Sequence, residues 1–394
     1  MNEEKFILNA ARLDLSDENI ARLKDISSKD IDWDLLFKKA SFHGVSTFIY
    51  YSLKKHNLTH LLPADLFNKL KENYHLVGLK NIKFLKKIHE LSNIIEEKIV
   101  LLKGGYLINN FYPDIGIRSM CDIDVLVEKE RAADIWNLLK SKGFVQGGPN
   151  RQSMAKSNVH DKVIQFHHLD LLFSENCAIE IHSNLFENHD FFYETEMAFK
   201  KAISINSNNT LYRLSNEFFL IHLCSHFYLH NYLHKQIGKN LRMLCDINEF
   251  ILKRGHEIDW NEINEVCFDP ELKNRISTTL TYAYYFLQTP VPANFIRKNL
   301  LNEGSISIDS LINNNMAAIQ KQKSNLARFF FRLKRFDKRI DRLIFVFRTL
   351  IPGKEWIKAQ YNAKNFRELI MSYFSYWSDI FTRYILNRDV KSSK

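Results

Sequence analysis

Few residues in this sequence interrupt regular secondary structure: its 394 residues include only twelve Gly and seven Pro. That scarcity, together with abundant Leu, Ile, Lys and Asn, predicts a mostly helical protein with limited strand content. No apolar run approaches the roughly 18 residues that a membrane-spanning helix requires, so an integral membrane protein is not expected. The N-terminus also lacks the basic start and apolar core of a secretory signal peptide.

Cysteine is scarce as well, and its use bears on compartment and on metal chemistry. The five Cys are an odd number, and no two of them form a Cys-x-x-Cys pair. This pattern argues against a disulfide framework and against a cysteine-based zinc site. We therefore expect a protein of a reducing, cytoplasmic compartment. Cys121, which adjoins an aspartate, is expected to point into the core.

Positive charge is concentrated in one segment. The chain has a formal net charge of +10, and residues 321–354 hold eleven Lys and Arg against two Asp, so the remainder is nearly neutral. Phe329, Phe336 and Ile340 form an apolar stripe at helical spacing in this segment, opposite the basic residues. We favour a packing helix with a solvated basic side. The alternatives are a helix on a membrane surface or a docking face for an anionic partner.

The spacing of apolar residues divides the chain into three regions. Residues 1–95 and 201–394 show helical periodicity, whereas residues 96–200 contain short β-branched runs typical of strands. Within the middle region, Gly143 is placed to end an amphipathic helix. The sequence thus predicts an α+β fold, in which a small mixed-sheet core is flanked by helical N- and C-terminal regions. The predicted strands are IVLLK, DIDVLV, KVIQF, LDLLF and AIEIHS.

Two aspartates lie inside one of these apolar runs. Strand side chains alternate between faces, so Asp122 and Asp124 project together, while Ile123 and Val125 point to the opposite face. Like charges this close raise each other's pKa unless a cation lies between them. Mg²⁺ commonly fills that role, because it binds carboxylates and substrate phosphates together. Glu180, on a later strand, supplies a third carboxylate. The alternative is an exposed strand that happens to carry two Asp.

A glycine pair precedes these aspartates. Gly104 and Gly105 follow a predicted strand and open a predicted short helix. Backbone N–H groups in such a position bind anions, a triphosphate among them. Lys103 is placed to reach a phosphate. Arg118 is expected either to contact phosphate oxygens or to pair with a carboxylate.

Gly-Gly, then Asp-x-Asp, then an acidic residue on a later strand resembles the pattern of the DNA polymerase beta-like nucleotidyltransferase superfamily. Within it, the chain is most similar to the bacterial uncharacterised nucleotidyltransferase family, and the likeness touches most of the chain. Two features depart from commoner superfamily members: the interval from Gly105 to Asp122 is longer, and Gly105 stands where they have Ser. The matching segments are LLKGGYL, FYPDIGIRSMCDIDVLV, AIEIHSNL, IDWDLLFKKASFHGV, IHLCSHFYLH, LRMLCDINEFI and FRTLIPGKEWIKAQY.

The resemblance implies a Mg²⁺-dependent transferase. Asp122, Asp124 and Glu180 would be the catalytic residues and would hold one or two Mg²⁺ ions, while Gly104 and Gly105 would cradle the triphosphate. The enzyme would move a nucleoside monophosphate from an NTP to an acceptor and release pyrophosphate. The acceptor stays open between peptide, sugar, lipid head group, protein and nucleic acid.

Two other functions remain open at this point. One is a non-catalytic nucleotide-binding or docking module. The other is an NTP-dependent phosphotransferase, a kinase, because phosphoryl transfer requires the same metal site.

Histidines near these motifs are candidate accessory residues. His182 shares the strand face of Glu180 and is expected to be its neighbour or to support the metal ligands. A ladder at every fourth position runs from His222 to His234, and two His at that spacing can hold Zn²⁺. Packing near the active site is the favoured interpretation, because no obvious third ligand accompanies the ladder. The resemblance points to His226 and Asp246 as a pair for testing.

Overall fold

A computed structural model describes residues 2–146, 168–175, 177–186, 192–207, 210–233, 240–266, 270–299 and 365–384. The described residues as far as 299 belong to one compact unit, and those at 365–384 belong to a second. The basic segment 321–354 and the predicted strand KVIQF lie outside the described residues, so both interpretations stay predictions.

The N-terminal region is helical. Asp32 begins one helix as its N-cap, because its carboxylate accepts a hydrogen bond from the backbone N–H of Leu35 at 2.8 Å. The longest helix has 31 residues and begins directly after Pro63, whose missing N–H is tolerated at a helix start. These helices are α1 (Asn2–Ala10), α2 (Asp17–Ser27), α3 (Trp33–Phe42), α4 (Ser46–Lys55) and α5 (Ala64–Ile94).

The described residues form a seven-stranded mixed sheet in the order β3-β4-β5-β2-β1-β7-β6. Strand β2 lies at its centre, parallel to β5 on one side and antiparallel to β1 on the other. Its central position explains the apolar character of its sequence, because both neighbours and both faces are covered. The strands are β1 (Ile99–Leu101), β2 (Asp122–Leu126), β3 (Val145–Gln146), β4 (Leu172–Ser174), β5 (Cys177–His182), β6 (Ile203–Ser204) and β7 (Leu211–Arg213).

The sheet continues past residue 200, where the core was predicted to end. Strand β7 pairs in parallel with β1, with Ile99 opposite Leu211, and β6 pairs with β7 at the edge. Both strands are only two or three residues long, which is too short for a period-two pattern to stand out in the sequence. The division into three regions stays a prediction, whereas the mixed sheet with helical flanks confirms the α+β fold.

Two short helices follow the central strands β1 and β2 along the chain. Helix α6 (Lys103–Tyr106) follows β1 at once and continues as a π-helical turn over Leu107–Phe111. Helix α7 (Ala132–Ser141) ends as predicted, because Gly143 takes the left-handed conformation with φ of +91°.

The C-terminal helices enclose a strongly apolar core. Phe218 and Phe219, on the helix that begins at Asn216, are fully buried, and the Phe219 ring contacts those of Tyr106 and Phe250. None of the helices in the described ranges combines the length and the hydropathy that a bilayer crossing requires. The remaining helices of this unit are α8 (Phe192–Lys200), α9 (Asn216–Tyr228), α10 (Asn240–Arg254), α11 (Trp260–Val266), α12 (Pro270–Leu287) and α13 (Ala293–Asn299). The second unit contains helix α14 (Phe366–Tyr384).

Candidate active site

Strand β2 presents its two aspartates on one face, as the period of a strand dictates. Ile123 and Val125 are buried on the opposite face. Asp124 is buried too, with only 3% of its surface exposed, whereas Asp122 is partly exposed at the start of the strand. A carboxylate buried this deeply needs partners that compensate for its lost hydration.

Strand β5 supplies those partners in register. Asp124 lies directly opposite Glu180, and His182 follows two positions along on the same face. Nε2 of His182 is 3.0 Å from Oδ1 of Asp124 and 3.2 Å from Oε2 of Glu180. We call these three side chains the acidic cluster. Their ligand atoms lie within 4.8 Å of one another, and no other group of three potential metal ligands occurs among the residues that the structure describes.

Lys103 adds a positive charge to the acidic cluster. Its Nζ donates a hydrogen bond to Oδ1 of Asp124 at 3.0 Å. Burial alone would raise the pKa of Asp124, but the ammonium of Lys103 and the hydrogen bond from His182 outweigh burial and hold that pKa well below its ordinary value. Burial lowers the pKa of Lys103, but Asp124 and Glu180 raise it more, so the net pKa is elevated. The aspartate is therefore ionised and the lysine protonated at neutral pH.

The backbone at Lys103 explains how this side chain reaches the site. Its φ is +41°, in the left-handed region that residues with a side chain seldom adopt. The chain makes this tight turn between β1 and α6, and the turn places the ammonium beside β2. Strain at such a position is retained where the surrounding structure fixes it.

Asp122 has a different environment from Asp124. Burial, and then the negative charge of Asp124, raise its pKa above the ordinary value, although Lys103 opposes this. Its carboxylate is not part of the acidic cluster. The three predicted carboxylates thus share one region of the sheet, but the group that converges most closely contains His182 in place of Asp122.

A second histidine contacts the cluster from outside. Nδ1 of His168 is 3.2 Å from Oε1 of Glu180, and the rings of His168 and His182 are 5.6 Å apart. Glu180 therefore lies between two imidazoles. Sequence reasoning missed His168 because its position depends on a bridge between residues 168 and 182, which no local pattern reveals.

The two glycines of the predicted phosphate loop are buried at the start of α6. The N–H of Gly105 donates to the carbonyl oxygen of Leu102 at 3.0 Å. Gly104 lies so close to neighbouring groups that an added Cβ would come within 2.5 Å of Nη1 of Arg118 and 3.0 Å of Sδ of Met120. Gly104 is therefore required for close packing, whatever its role toward a ligand.

Arg118 adopts the carboxylate-pairing alternative of its two predicted roles. Its Nε lies 2.9 Å from each carboxylate oxygen of Asp246, and the hydroxyl of Tyr112 donates to the same carboxylate at 2.6 Å. The side chains of Arg118 and Asp246 are 6% and 1% exposed. The buried pair joins the segment before β2 to helix α10. Asp246 is thus paired with Arg118 and Tyr112, and a joint accessory role of Asp246 and His226 stays a prediction.

Arg242 is a cation near the site that sequence reasoning missed. It lies on α10, and its Nη1 donates to the carbonyl and hydroxyl oxygens of Ser119 at 2.9 and 3.0 Å. Burial, and then repulsion from Arg118, lower its pKa. Its positive charge, like that of Lys103, partly opposes the rise in the pKa of Asp122. Its place depends on α10 packing beside the segment before β2, a contact between distant parts of the chain.

The described part of the histidine ladder forms a column of rings. The His222 and His226 rings are stacked at 6.3 Å, and those of His226 and His230 meet at 4.1 Å. Burial, and then the charge of Lys103, hold the pKa of both His222 and His226 well below the ordinary value. His222 and His226 are therefore neutral, and the charge of Lys103 acts on both of them. His234 lies outside the described residues.

Cys121 departs from its prediction. It is exposed, not buried in the core, because β2 begins only at Asp122. Alternation between faces applies within a strand, and Cys121 lies in the approach to it.

Comparison with known proteins gives one match. A family model described as "Uncharacterised nucleotidyltransferase" matches residues 29–288, which is more than half of the chain and includes every residue of the candidate site. No curated protein and no solved structure matches the chain.

Proposed function

We propose a function for this chain from the premise that it belongs to the uncharacterised nucleotidyltransferase family, whose members are transferases of phosphorus-containing groups. In this proposal the chain moves a nucleoside monophosphate from an NTP to an acceptor and releases pyrophosphate, with the help of a divalent cation. The acceptor belongs to one of the classes left open by the sequence, and a cytoplasmic setting is part of the same proposal.

The observation that carries the proposal is the acidic cluster at the centre of the sheet. Two carboxylates and an imidazole converge within 4.8 Å, and this donor set fits a divalent cation. Asp122 shares the strand face and stands close enough to Asp124 for their charges to interact, so we place it with the ligands. When bound, a divalent cation supplies positive charge that stabilises the transferring phosphoryl oxygens.

The protein's own residues supply the rest of the electrostatics. In the proposed reaction the acceptor hydroxyl oxygen forms a bond to the α-phosphorus, while the bond from that phosphorus to the leaving pyrophosphate breaks. Lys103 and Arg242 are two cations whose charges act on Asp122, and we assign them contacts with phosphate oxygens. The acceptor's proton passes to one of the carboxylates. Positioning and charge compensation account for most of such a rate enhancement.

Two measurements test the proposal together. Thermal unfolding with each common NTP, with and without divalent cation, reports nucleotide binding, and pyrophosphate release in the presence of candidate acceptors reports turnover. The proposal expects a cation-dependent thermal shift and pyrophosphate that is absent with Asp124→Asn. A thermal shift without any product indicates a non-catalytic binding module, and transfer of the γ-phosphoryl group to the acceptor with release of the NDP indicates a kinase.

A further inference from the structure

We infer that His182 is a metal ligand, and that the acidic cluster therefore selects a first-row transition ion such as Mn²⁺ over Mg²⁺. The inference deepens the proposed function, on which its biological meaning rests, by naming the class of cation that the site takes. It concerns a binding property, which can be measured without any turnover.

The spacing of the donor atoms is the first support. Nε2 of His182 lies 3.0 Å from a carboxylate oxygen of Asp124 and 3.2 Å from one of Glu180. Ligand bonds of about 2.1 Å to nitrogen or oxygen separate adjacent donors by about 3.0 Å in octahedral and about 3.4 Å in tetrahedral geometry. The two observed separations fall in that interval. Nε2 of His182 therefore already stands at the spacing of one coordination shell from both carboxylates, and all three donors lie within 4.8 Å of one another.

The immobility of His182 is the second support. Its side chain is 4% exposed and that of Asp124 is also 4% exposed, so neither can turn away from the other into solvent. Both sit on adjacent, register-paired strands at the middle of the sheet, where backbone hydrogen bonds fix their positions. A cation that binds Asp124 and Glu180 must therefore displace the Nε2 proton that hydrogen-bonds to Asp124, and Nε2 then offers its lone pair as a ligand.

The chemistry of the donors decides the class of cation. Mg²⁺ prefers oxygen ligands and near-ideal octahedral geometry, and an imidazole next to the carboxylates takes a position that an oxygen would otherwise hold. Nitrogen donors favour later first-row ions, whose affinity for mixed nitrogen and oxygen sites increases along the series from Mn²⁺ to Cu²⁺. One imidazole with two carboxylates is a donor set that accepts Mn²⁺ and heavier ions readily.

Asp122 gives a contrast within the same site. An all-carboxylate set of Asp122, Asp124 and Glu180 would predict Mg²⁺, and that is what the sequence pattern alone favours. In the structure Asp122 lies outside the group of three donors that converge within 4.8 Å, so the place that the proposed function gives it is that of a further oxygen ligand beside this group. The preference for a transition ion thus depends on one residue, His182.

The test is Mn²⁺ binding to the full-length protein, followed by electron paramagnetic resonance. The inference expects a nitrogen hyperfine coupling in the pulsed spectrum of the unmodified protein. In competition, Mg²⁺ should displace Mn²⁺ only at an excess of about tenfold or more. His182→Gln should abolish the nitrogen coupling. His168→Ala is the matched control, because His168 contacts Oε1 of Glu180 whereas His182 contacts Oε2. This variant should keep the coupling.

Three outcomes overturn the inference: no Mn²⁺ binding, Mn²⁺ bound without nitrogen coupling, or Mg²⁺ competing on equal terms. The spectrum of the unmodified protein decides the matter even if His182→Gln fails to fold. The result is also separable from the proposed function. Nitrogen-coupled Mn²⁺ without pyrophosphate release refutes the transferase proposal and leaves the metal assignment standing. Pyrophosphate release with an oxygen-only Mg²⁺ site refutes the metal assignment and leaves the transferase proposal standing.

Discussion

Alanine substitution at each of the two neighbouring glycines should give opposite results. Gly104 and Gly105 stand side by side in α6, and both were predicted to hold phosphate. A Cβ at Gly104 would meet Nη1 of Arg118 at 2.5 Å and Sδ of Met120 at 3.0 Å, distances that require something to move. A Cβ at Gly105 would meet only ordinary contacts, the nearest at 3.7 Å.

The magnitude follows from what has to move at Gly104. A flexible arginine end could swing aside cheaply, but the Arg118 guanidinium is buried and bonded to both oxygens of Asp246. Overpacking of this kind destabilises proteins by about 1 to 3 kcal/mol. Gly105→Ala creates no clash and gains helix propensity, so it should leave the free energy of unfolding unchanged or raise it by up to about 1 kcal/mol.

Differential scanning calorimetry of the two variants and the wild type measures this difference. The midpoint of the main transition should fall by several degrees for Gly104→Ala and stay level or rise for Gly105→Ala. Circular dichroism at low temperature confirms that both variants are folded before heating. Equal midpoints for the two variants would show that the contact between Gly104 and Arg118 does not constrain the fold, and the packing argument would fail.

Three further predictions concern the acidic residues. Asp122→Asn should abolish turnover without lowering the midpoint of thermal unfolding, because it removes a charge that Asp124 repels; Mg²⁺- or Mn²⁺-dependent turnover at the wild-type rate would contradict this. Glu180→Gln should reduce kcat much more than NTP affinity, and an unchanged kcat would make Glu180 structural only. Glu249 is buried, and burial raises its pKa to about 7 from an ordinary 4.5. Its neutral form is therefore favoured by folding, and Glu249 contributes about 3 kcal/mol of unfolding free energy below about pH 4.5 that is lost as the pH rises to about 7. Glu249→Gln should remove that loss in denaturant titrations, and parallel pH profiles of the two proteins would refute the assignment.

Local pattern was sufficient for the strands that carry the site. The alternation in DIDVLV placed Asp122 and Asp124 on one face, and AIEIHS placed Glu180 and His182 together. Both inferences need only the geometry of a single strand. The same holds for Gly143, where the left-handed end of α7 follows from the residue type alone.

Contacts between distant segments could not be predicted in this way. Arg118 and Asp246 are 128 positions apart, and nothing in either segment marks them as partners. The positive charge beside Asp124 was expected to come from a metal ion, because like charges require compensation. The structure supplies the ammonium of Lys103 there, together with a hydrogen bond from His182, through a left-handed turn and a strand register that become visible only in three dimensions.

Transfer of label from an NTP to an acceptor is the most direct test of whether this protein transfers a nucleotidyl group. The full-length protein is incubated with Mn²⁺ or Mg²⁺, an extract of the source cells, and an NTP labelled at either the α- or the γ-phosphorus. We expect a discrete acceptor to take up the α-label and not the γ-label, and Asp124→Asn to abolish this uptake. Acceptor labelled only from the γ-position, or labelled equally by Asp124→Asn, would contradict this expectation.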